Sequence, residues 1–251
     1  MTSLDLAHLV PLLLVALVMG SFATALTVRL PEGGTMLGRS RCPSCGTTLT
    51  PRDLVPLLSW LGLRGRCRHC AAPIGLLYPV LELSALAVAL WAATESTGWL
   101  VWASCGLGWT LLTLSAIDLR DGVLPDVLTL PLVPAGLIVG WFAAPEGLWD
   151  DIAGAVVGYA LFAFVAWAYR RWRGREGMGG GDAKLLAGIG AWVGISGLPS
   201  VVLLASLLAL VAALGWRSLR GRPSLNDRVP FGPFLAAAAW VVWLYGPLVL
   251  G

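Results

Sequence analysis

The amino-acid sequence predicts an all-α, polytopic membrane protein of about eight transmembrane helices. Of the 251 residues, 57% are hydrophobic and only 12% are charged, whereas about a quarter of the residues in a soluble domain are charged. The hydrophobic residues collect in long runs, and a helix needs about 20 mainly apolar residues to cross the hydrocarbon core of a bilayer. Together these observations exclude a soluble globular domain.

Division of the chain at prolines, glycines and charged residues leaves eight apolar runs. The predicted spans cover residues 6–28, 75–93, 99–117, 127–144, 152–169, 183–195, 200–216 and 233–250. No Lys or Arg precedes the first run, so we expect a membrane span there rather than a removable secretory signal. The sixth run is short, which predicts a tilted or half-buried helix.

The basic residues predict the orientation of these spans. All 17 Lys and Arg residues lie in or next to the odd-numbered connections, whereas the even-numbered connections carry only acidic charges, at Glu95, Glu146, Asp150 and Asp151. Because basic residues are retained on the cytoplasmic side, the odd-numbered connections are expected to face the cytoplasm and both termini the outside. Membrane lipid is an expected partner of such a chain, and nucleic acid is not.

The first connection, residues 31–73, is the one sizeable polar segment, and it contains two Cys-x-x-Cys pairs. Cys42 and Cys45 form the first pair, Cys67 and Cys70 the second, with 21 residues between the pairs. Each pair can supply two thiolates from one tight turn, which is typical of a four-cysteine zinc site. Two disulfides or free thiols are the alternatives, but disulfides are rare in the cytoplasm. The pattern therefore predicts a zinc-binding cytoplasmic loop.

Residues 54–61, between the cysteine pairs, are too apolar for a free loop and too short to cross a bilayer. We expect this segment to lie at the membrane interface, where Arg64, Arg66 and Arg68 would suit anionic headgroups. Glu82 falls inside the second span. A carboxyl group at that depth faces the helix bundle and is paired or protonated, and both a helix-to-helix hydrogen bond and a functional role are open.

A glycine-rich break, residues 177–184, places Asp182 and Lys184 where an apolar run resumes. An ionisable group at a membrane boundary is a candidate functional group. The glycines on its N-terminal side would let an extended substrate backbone approach closely. A phosphate-binding P-loop is excluded, because Asp182 stands where that motif has Gly-Lys-Ser/Thr.

The best candidate partner for Asp182 is one of three carboxylates at the end of the third span. Asp126 follows a proline and precedes an apolar run, which predicts a helix N-cap. Asp121 precedes a glycine and suits a turn. Asp118 has no such local role, so we expect it to pair with Asp182.

Two carboxyl groups at about 3 Å cannot both ionise, so one would act as acid and the other as base. Such a pair can hydrolyse an amide by activating a water molecule without a covalent intermediate. Two roles are open for Lys184: it favours ionisation of the pair, or it snorkels toward the membrane interface.

Several of these motifs resemble those of the type IV prepilin peptidases, the GxGD class of membrane aspartic proteases. Residues 179–184 match the family's GxGDxK, and residues 117–118 with 124–131 match its first-aspartate region. The similarity extends to the two Cys-x-x-Cys pairs and to residues 53–60, 64–67 and 230–234. It covers the chain from Gly20 to about Ala238.

The resemblance implies a bifunctional enzyme of the bacterial inner membrane. It would cut the basic leader of type IV prepilins or type II secretion pseudopilins after a glycine, on the cytoplasmic side, and then methylate the new N-terminus with S-adenosylmethionine. Asp118 and Asp182 would be catalytic, with Gly179, Gly181 and Lys184 in support. Cys42, Cys45, Cys67 and Cys70 would bind the metal. Residues 1–98 would serve methylation and residues 99–251 peptidase activity.

Two positions depart from the family pattern. Thr24 stands where the family usually has Asn, and Leu77 where it usually has Arg before Tyr-Pro. Both lie in the part associated with methylation, so a peptidase without methyltransferase activity is the nearest alternative. A non-catalytic transporter or assembly scaffold with intramembrane carboxylates is the alternative from another class.

Overall fold

The computed structural model describes residues 6–34, 38–174, 179–220 and 230–248. These residues form eight α-helices, two short 3-10 turns at Pro51–Leu54 and Pro145–Gly147, and no strand. The helices are α1 (Leu6–Arg29), α2 (Leu58–Gly62), α3 (Leu77–Glu95), α4 (Trp99–Asp121), α5 (Asp126–Ala143), α6 (Leu148–Arg173), α7 (Gly180–Arg220) and α8 (Gly232–Tyr245). Gly177 and Met178 of the glycine-rich break lie outside the described residues, as do Arg175, Arg222 and Arg228.

Six of the described helices are long and apolar enough to cross a membrane: α1, α3, α4, α5, α6 and α7. Helix α8 is apolar but has only 14 residues. Helix α7 contains both the sixth and the seventh predicted spans. The predicted all-α membrane architecture is confirmed, and the eight predicted runs correspond to these seven helices.

The break between the sixth and seventh spans was predicted at residues 196–199, and this prediction is wrong. Helix α7 runs through Pro199, and its one non-helical residue is Gly194, with φ 69° and ψ 173°. A positive φ favours glycine, and a Cβ atom at this position would collide with the carboxylate of Asp150. The Ser196 hydroxyl also donates a hydrogen bond to Asp150, at 3.0 Å. The position of the break therefore depends on a contact with α6.

The chain divides into two compact units, Met1–Thr113 and Leu114–Gly251. In the first unit, α1 packs against α3 at Gly20, where a Cβ atom would lie 2.6 Å from Cα of Glu82 and 3.0 Å from Cβ of Ala85. The indole of Trp109 donates a hydrogen bond to the Ala85 carbonyl, at 3.0 Å. Small residues allow such close helix packing in membranes.

In the second unit, α7 packs against α5, α6 and α8. Glycines bring the backbones together: Gly190 lies against the Gly154 carbonyl, and a Cβ atom on Gly136 would lie 2.6 Å from the Ala191 carbonyl. The Trp192 indole donates a hydrogen bond to the carbonyl of Leu132 on α5, at 2.9 Å. These contacts hold α7 in place, and Asp182 lies in its first turn.

Candidate active site and metal centre

Asp118 lies in the last turn of α4 with its carboxyl group turned into the second unit. The residue is only 6% exposed, and its Oδ2 atom accepts a hydrogen bond of 3.0 Å from the backbone N–H of Gly232. Gly232 is the first residue of α8, and the first N–H groups of a helix have no partner within the helix. The positive end of the helix dipole also favours a carboxylate there. The start of α8 therefore holds the side chain of Asp118.

Asp182 is half-buried in the first turn of α7. The glycine before it allows the start of α7 to approach the connection that follows α4. A Cβ atom on Gly181 would lie 2.8 Å from Cβ of Leu124, and one on Gly232 would lie 3.3 Å from Cδ2 of Leu124. One leucine side chain thus touches the residue before Asp182 and the residue that binds Asp118.

This packing places the helix start that carries Asp182 and the helix start that binds Asp118 against the same leucine side chain. The carboxyl group of Asp118, a residue of α4, lies against the first turn of α8, and Asp182 is in the first turn of α7. A pair of carboxyl groups in such partly desolvated surroundings can share one proton, so that one acts as base and the other as acid. Of the residues predicted to support the pair, Gly181 packs on Leu124 and Gly179 lies beside the Asp182 carboxylate.

Lys184 follows Asp182 after a single alanine, but its ammonium group binds a different carboxylate. Its Nζ atom donates to Oδ1 and Oδ2 of Asp126, at 2.7 and 2.8 Å. The predicted N-cap role of Asp126 is wrong, because Pro125 occupies the N-cap position and Asp126 is the first residue of α5. Sequence reasoning missed this ion pair, since the two residues are 58 positions apart. It links the start of α5 to the start of α7.

The four cysteines of the first connection form a cluster. All four Sγ atoms lie within 4.8 Å of one another, and those of Cys42 and Cys70 are 3.8 Å apart. Tetrahedral zinc with Zn–S bonds of about 2.3 Å places its sulfur ligands about 3.8 Å apart. The described residues include all five cysteines of the chain, and none forms a disulfide. The cysteine cluster therefore fits a zinc ion.

Two matching turns present these thiols. The amide of Gly46 donates to the Cys42 carbonyl at 2.9 Å, and the amide of Ala71 donates to the Cys67 carbonyl at 3.0 Å. Both donors have a positive φ, 70° at Gly46 and 57° at Ala71. Hydrogen bonds with Thr47 hold the pKa of Cys45 at about 6. The thiolate is the form that binds a metal.

Asp53 connects the segments that carry the two turns. Its carboxylate accepts hydrogen bonds from the Thr50 hydroxyl at 2.7 Å and from Nε of Arg68 at 2.6 Å. These contacts hold the pKa of Asp53 at about 2, so the carboxylate stays ionised at neutral pH. Sequence reasoning assigned Asp53 no role, although its position beside Pro51 and Arg52 marks a turn.

The two departures from the family pattern lie in the first unit. Thr24 is buried, and its hydroxyl donates to the Gly20 carbonyl of its own helix, at 2.9 Å. Leu77 is the first residue of α3. Glu82 contacts the connection between α1 and α3, residues 31–73, which we call the cysteine loop. Its Oε2 atom accepts a hydrogen bond of 2.7 Å from the backbone N–H of Leu57.

Comparison with known proteins covers both units of the chain. Residues 14–96 match the model of the bacterial peptidase A24 N-terminal domain, and residues 105–214 match that of the type IV leader peptidase family. No solved structure matches the chain.

Among named relatives, the prepilin leader peptidase/N-methyltransferase of Aeromonas hydrophila is 40% identical, over 97% of this chain and 94% of the relative. The protein of the same name from Pseudomonas aeruginosa is 37% identical, over 98% and 93%. That from Dickeya chrysanthemi is also 37% identical, over 92% and 90%. The similarity therefore spans nearly the full length of each protein, and the chain belongs to the type IV leader peptidase family.

Proposed function

We propose that this chain cleaves the basic leader of a type IV prepilin or a type II secretion pseudopilin and then methylates the new N-terminus. Its family and the names of its full-length relatives support an enzyme with both activities. The observation that carries the peptidase assignment is the convergence of Asp118 and Asp182 at the first turns of α8 and α7. Intramembrane carboxyl groups also occur in proton-relaying transporters, and the family and the named relatives favour the enzyme.

In the proposed reaction the two aspartates have different roles. Asp118 is the ionised member, because the Gly232 N–H group donates to it and such a bond favours the charged form. Asp118 takes a proton from a water molecule, which attacks the scissile carbonyl. Asp182 carries the shared proton and donates it to the carbonyl oxygen. As the tetrahedral intermediate collapses, Asp118 passes the proton it took from water to the leaving amine, and Asp182 takes back a proton from a hydroxyl of the intermediate, which restores the starting state of the pair.

The residues around the pair suit a peptide substrate. The glycines before Asp182 leave the start of α7 without side chains that would obstruct an extended backbone. The ion pair of Lys184 and Asp126 holds the start of α5 against the start of α7. In this proposal Lys184 therefore positions the helix that carries Asp182 and does not contact the aspartate pair, Asp118 and Asp182, which we call the dyad. The arginine distribution supports a site facing the cytoplasm, with both termini outside and the chain in the bacterial inner membrane.

The cysteine loop belongs to the methylating part of the proposal, residues 1–98. Cys42, Cys45, Cys67 and Cys70 would hold a structural zinc ion, and S-adenosylmethionine would supply the methyl group. Four large side chains of residues 54–61 are exposed, namely Leu54, Val55, Leu58 and Leu61. This supports contact of the segment with membrane lipid. Residues 99–251 would form the peptidase part.

Cleavage of a co-expressed prepilin tests the dyad. Asp118→Asn and Asp182→Asn should each lower the cleavage rate by about 10²- to 10⁴-fold, the usual contribution of general acid–base catalysis. Asp121→Asn is the matched control, since Asp121 ends the same helix but is exposed. Mass spectrometry of the processed pilin should show one added methyl group. Cleavage by both dyad variants at the normal rate would favour the scaffold alternative instead.

A further inference from the structure

The connection between α4 and α5 places one leucine against both helix starts that hold the dyad. Leu124 is half-buried, and its two methyl groups face different helices. Its Cδ1 atom lies 3.4 Å from where a Cβ atom on Gly181 would be, and its Cδ2 atom lies 3.3 Å from where one on Gly232 would be. The side chain thus contacts the start of α7, directly before Asp182, and the start of α8. The reaction proposed above uses no atom of Leu124.

The backbone that carries Leu124 is anchored on both sides. On the N-terminal side, Gly122 has φ 67°, which is typical of the glycine that follows a helix. Its N–H group donates a hydrogen bond of 2.9 Å to the carbonyl of Asp118. On the C-terminal side, the Pro125 carbonyl accepts hydrogen bonds from two amides in the first turn of α5, at 3.0 and 3.1 Å. These anchors fix the Leu124 side chain relative to Asp118.

The polar contacts of the site attach each helix start to a neighbour other than its counterpart. The ion pair with Lys184 attaches α7 to α5, and the Gly232 amide attaches α8 to Asp118 of α4. Neither contact sets the spacing between the first turns of α7 and α8. Leu124 packs against both turns, and side chains in a close-packed interior set the spacing of the elements around them. The glycines at 181 and 232 let the leucine reach both backbones.

We propose that Leu124 is a positioning residue of the peptidase. Its side chain sets the spacing between the first turns of α7 and α8, and with it the spacing between the carboxyl groups of Asp182 and Asp118. The proposal rests on the catalytic roles assigned to the two aspartates above, because both carboxyl groups must reach one water molecule and one scissile carbonyl. Leu124 has no group that transfers a proton, so it acts only through the dyad.

Steady-state cleavage of a prepilin by the purified full chain tests this role. A displacement of about 1 Å at an active site can cost about 10²-fold in rate. Leu124→Ala removes both methyl groups, so kcat should fall roughly 10- to 100-fold, while KM should change by less than about threefold. Leu124→Met has a similar volume and should keep kcat within about threefold of the wild type. Val123→Ala is the matched control, because Val123 belongs to the same connection and is exposed; it should keep the wild-type kcat.

Thermal unfolding of each variant, measured on the same preparations, shows whether it is folded. If Leu124→Ala does not fold, the smaller truncation Leu124→Val takes its place and should lower kcat more than Leu124→Met does. Wild-type kcat in the folded truncation variant would overturn the proposal. A raised KM with unchanged kcat would also overturn it, because Leu124 would then act in substrate binding. Equal losses of kcat in Leu124→Met and in the truncation variant would show that the volume of the side chain does not set the spacing.

Asp118→Asn and Asp182→Asn, measured in the same assay, separate this proposal from the one on which it rests. If both variants cleave at the wild-type rate, the dyad itself fails. If both lose activity whereas the folded truncation variant of Leu124 keeps the wild-type kcat, the dyad stands and the positioning role of Leu124 fails. Loss of kcat in the truncation variant, with rescue by Leu124→Met, supports the role.

Discussion

Gly232 offers a test of the active site that leaves both aspartates in place. A Cβ atom on this residue would lie 2.7 Å from Oδ2 and 3.2 Å from Cγ of Asp118. Gly232→Ala should therefore push the Asp118 carboxyl group away from the backbone N–H that now binds it at 3.0 Å. Gly232 begins α8, and alanine suits a helix better than glycine, so the backbone conformation does not oppose the substitution.

The size of the effect follows from the hydrogen bond that is lost. Hydrogen bonds to charged groups contribute about 1.5–3 kcal/mol, and each 1.36 kcal/mol of barrier corresponds to a tenfold change in rate. The kcat for prepilin cleavage should fall roughly 10- to 150-fold. The KM should stay within about threefold, because Gly232 positions a catalytic group that acts in the transition state.

Gly106→Ala is the matched control, because Gly106 lies on α4 with Asp118 and an added Cβ atom there meets no heavy atom within 4 Å. Initial rates of leader cleavage in detergent, with thermal unfolding of each variant alongside, measure the effect. Wild-type kcat in a folded Gly232→Ala variant would refute the argument that the start of α8 positions the catalytic carboxylate.

Two further predictions concern Lys184 and the cysteine cluster. Lys184→Met and Asp126→Asn should each lower the cleavage rate by less than about fivefold, because partly exposed ion pairs contribute at most about 1 kcal/mol. The double variant should lower the rate no further than either single variant. A loss of more than a hundredfold in Lys184→Met would instead place Lys184 at the aspartate pair. Cys42→Ser should abolish zinc binding as measured by elemental analysis. The control variant Cys105→Ser, on α4, should retain one zinc ion per chain. An unchanged zinc content in Cys42→Ser would refute the metal site.

The expectations that rest on local composition agree with the structure. Membrane helices follow from the length of apolar runs, which is a property of consecutive residues, and the described residues form helices and no strand. The grouping of the cysteines in pairs was also predicted from the sequence, because two cysteines within one tight turn present both thiols to the same side. Their clustering within 4.8 Å followed from that spacing once the two pairs met.

The expectations that failed depended on partners distant in the chain. The break in α7 falls at Gly194 because Asp150 of α6 lies against it, and the proline at position 199 does not interrupt the helix. Asp126 looked like a helix cap because only its neighbours were considered, whereas its carboxylate binds an ammonium group 58 residues away. Local propensity is a weak guide wherever a tertiary contact outweighs it.

Composition and short spacing along the chain establish the class of protein, the residue types of the candidate site and the cysteine pairs. Which of these groups meet depends on how the helices pack. The fold places the N–H of Gly232 on Asp118, 114 residues away, and the loop backbone at Leu57 on Glu82. The close packing of helices at small residues determines such contacts. The residue pattern within one segment therefore does not predict which distant residue will lie against it.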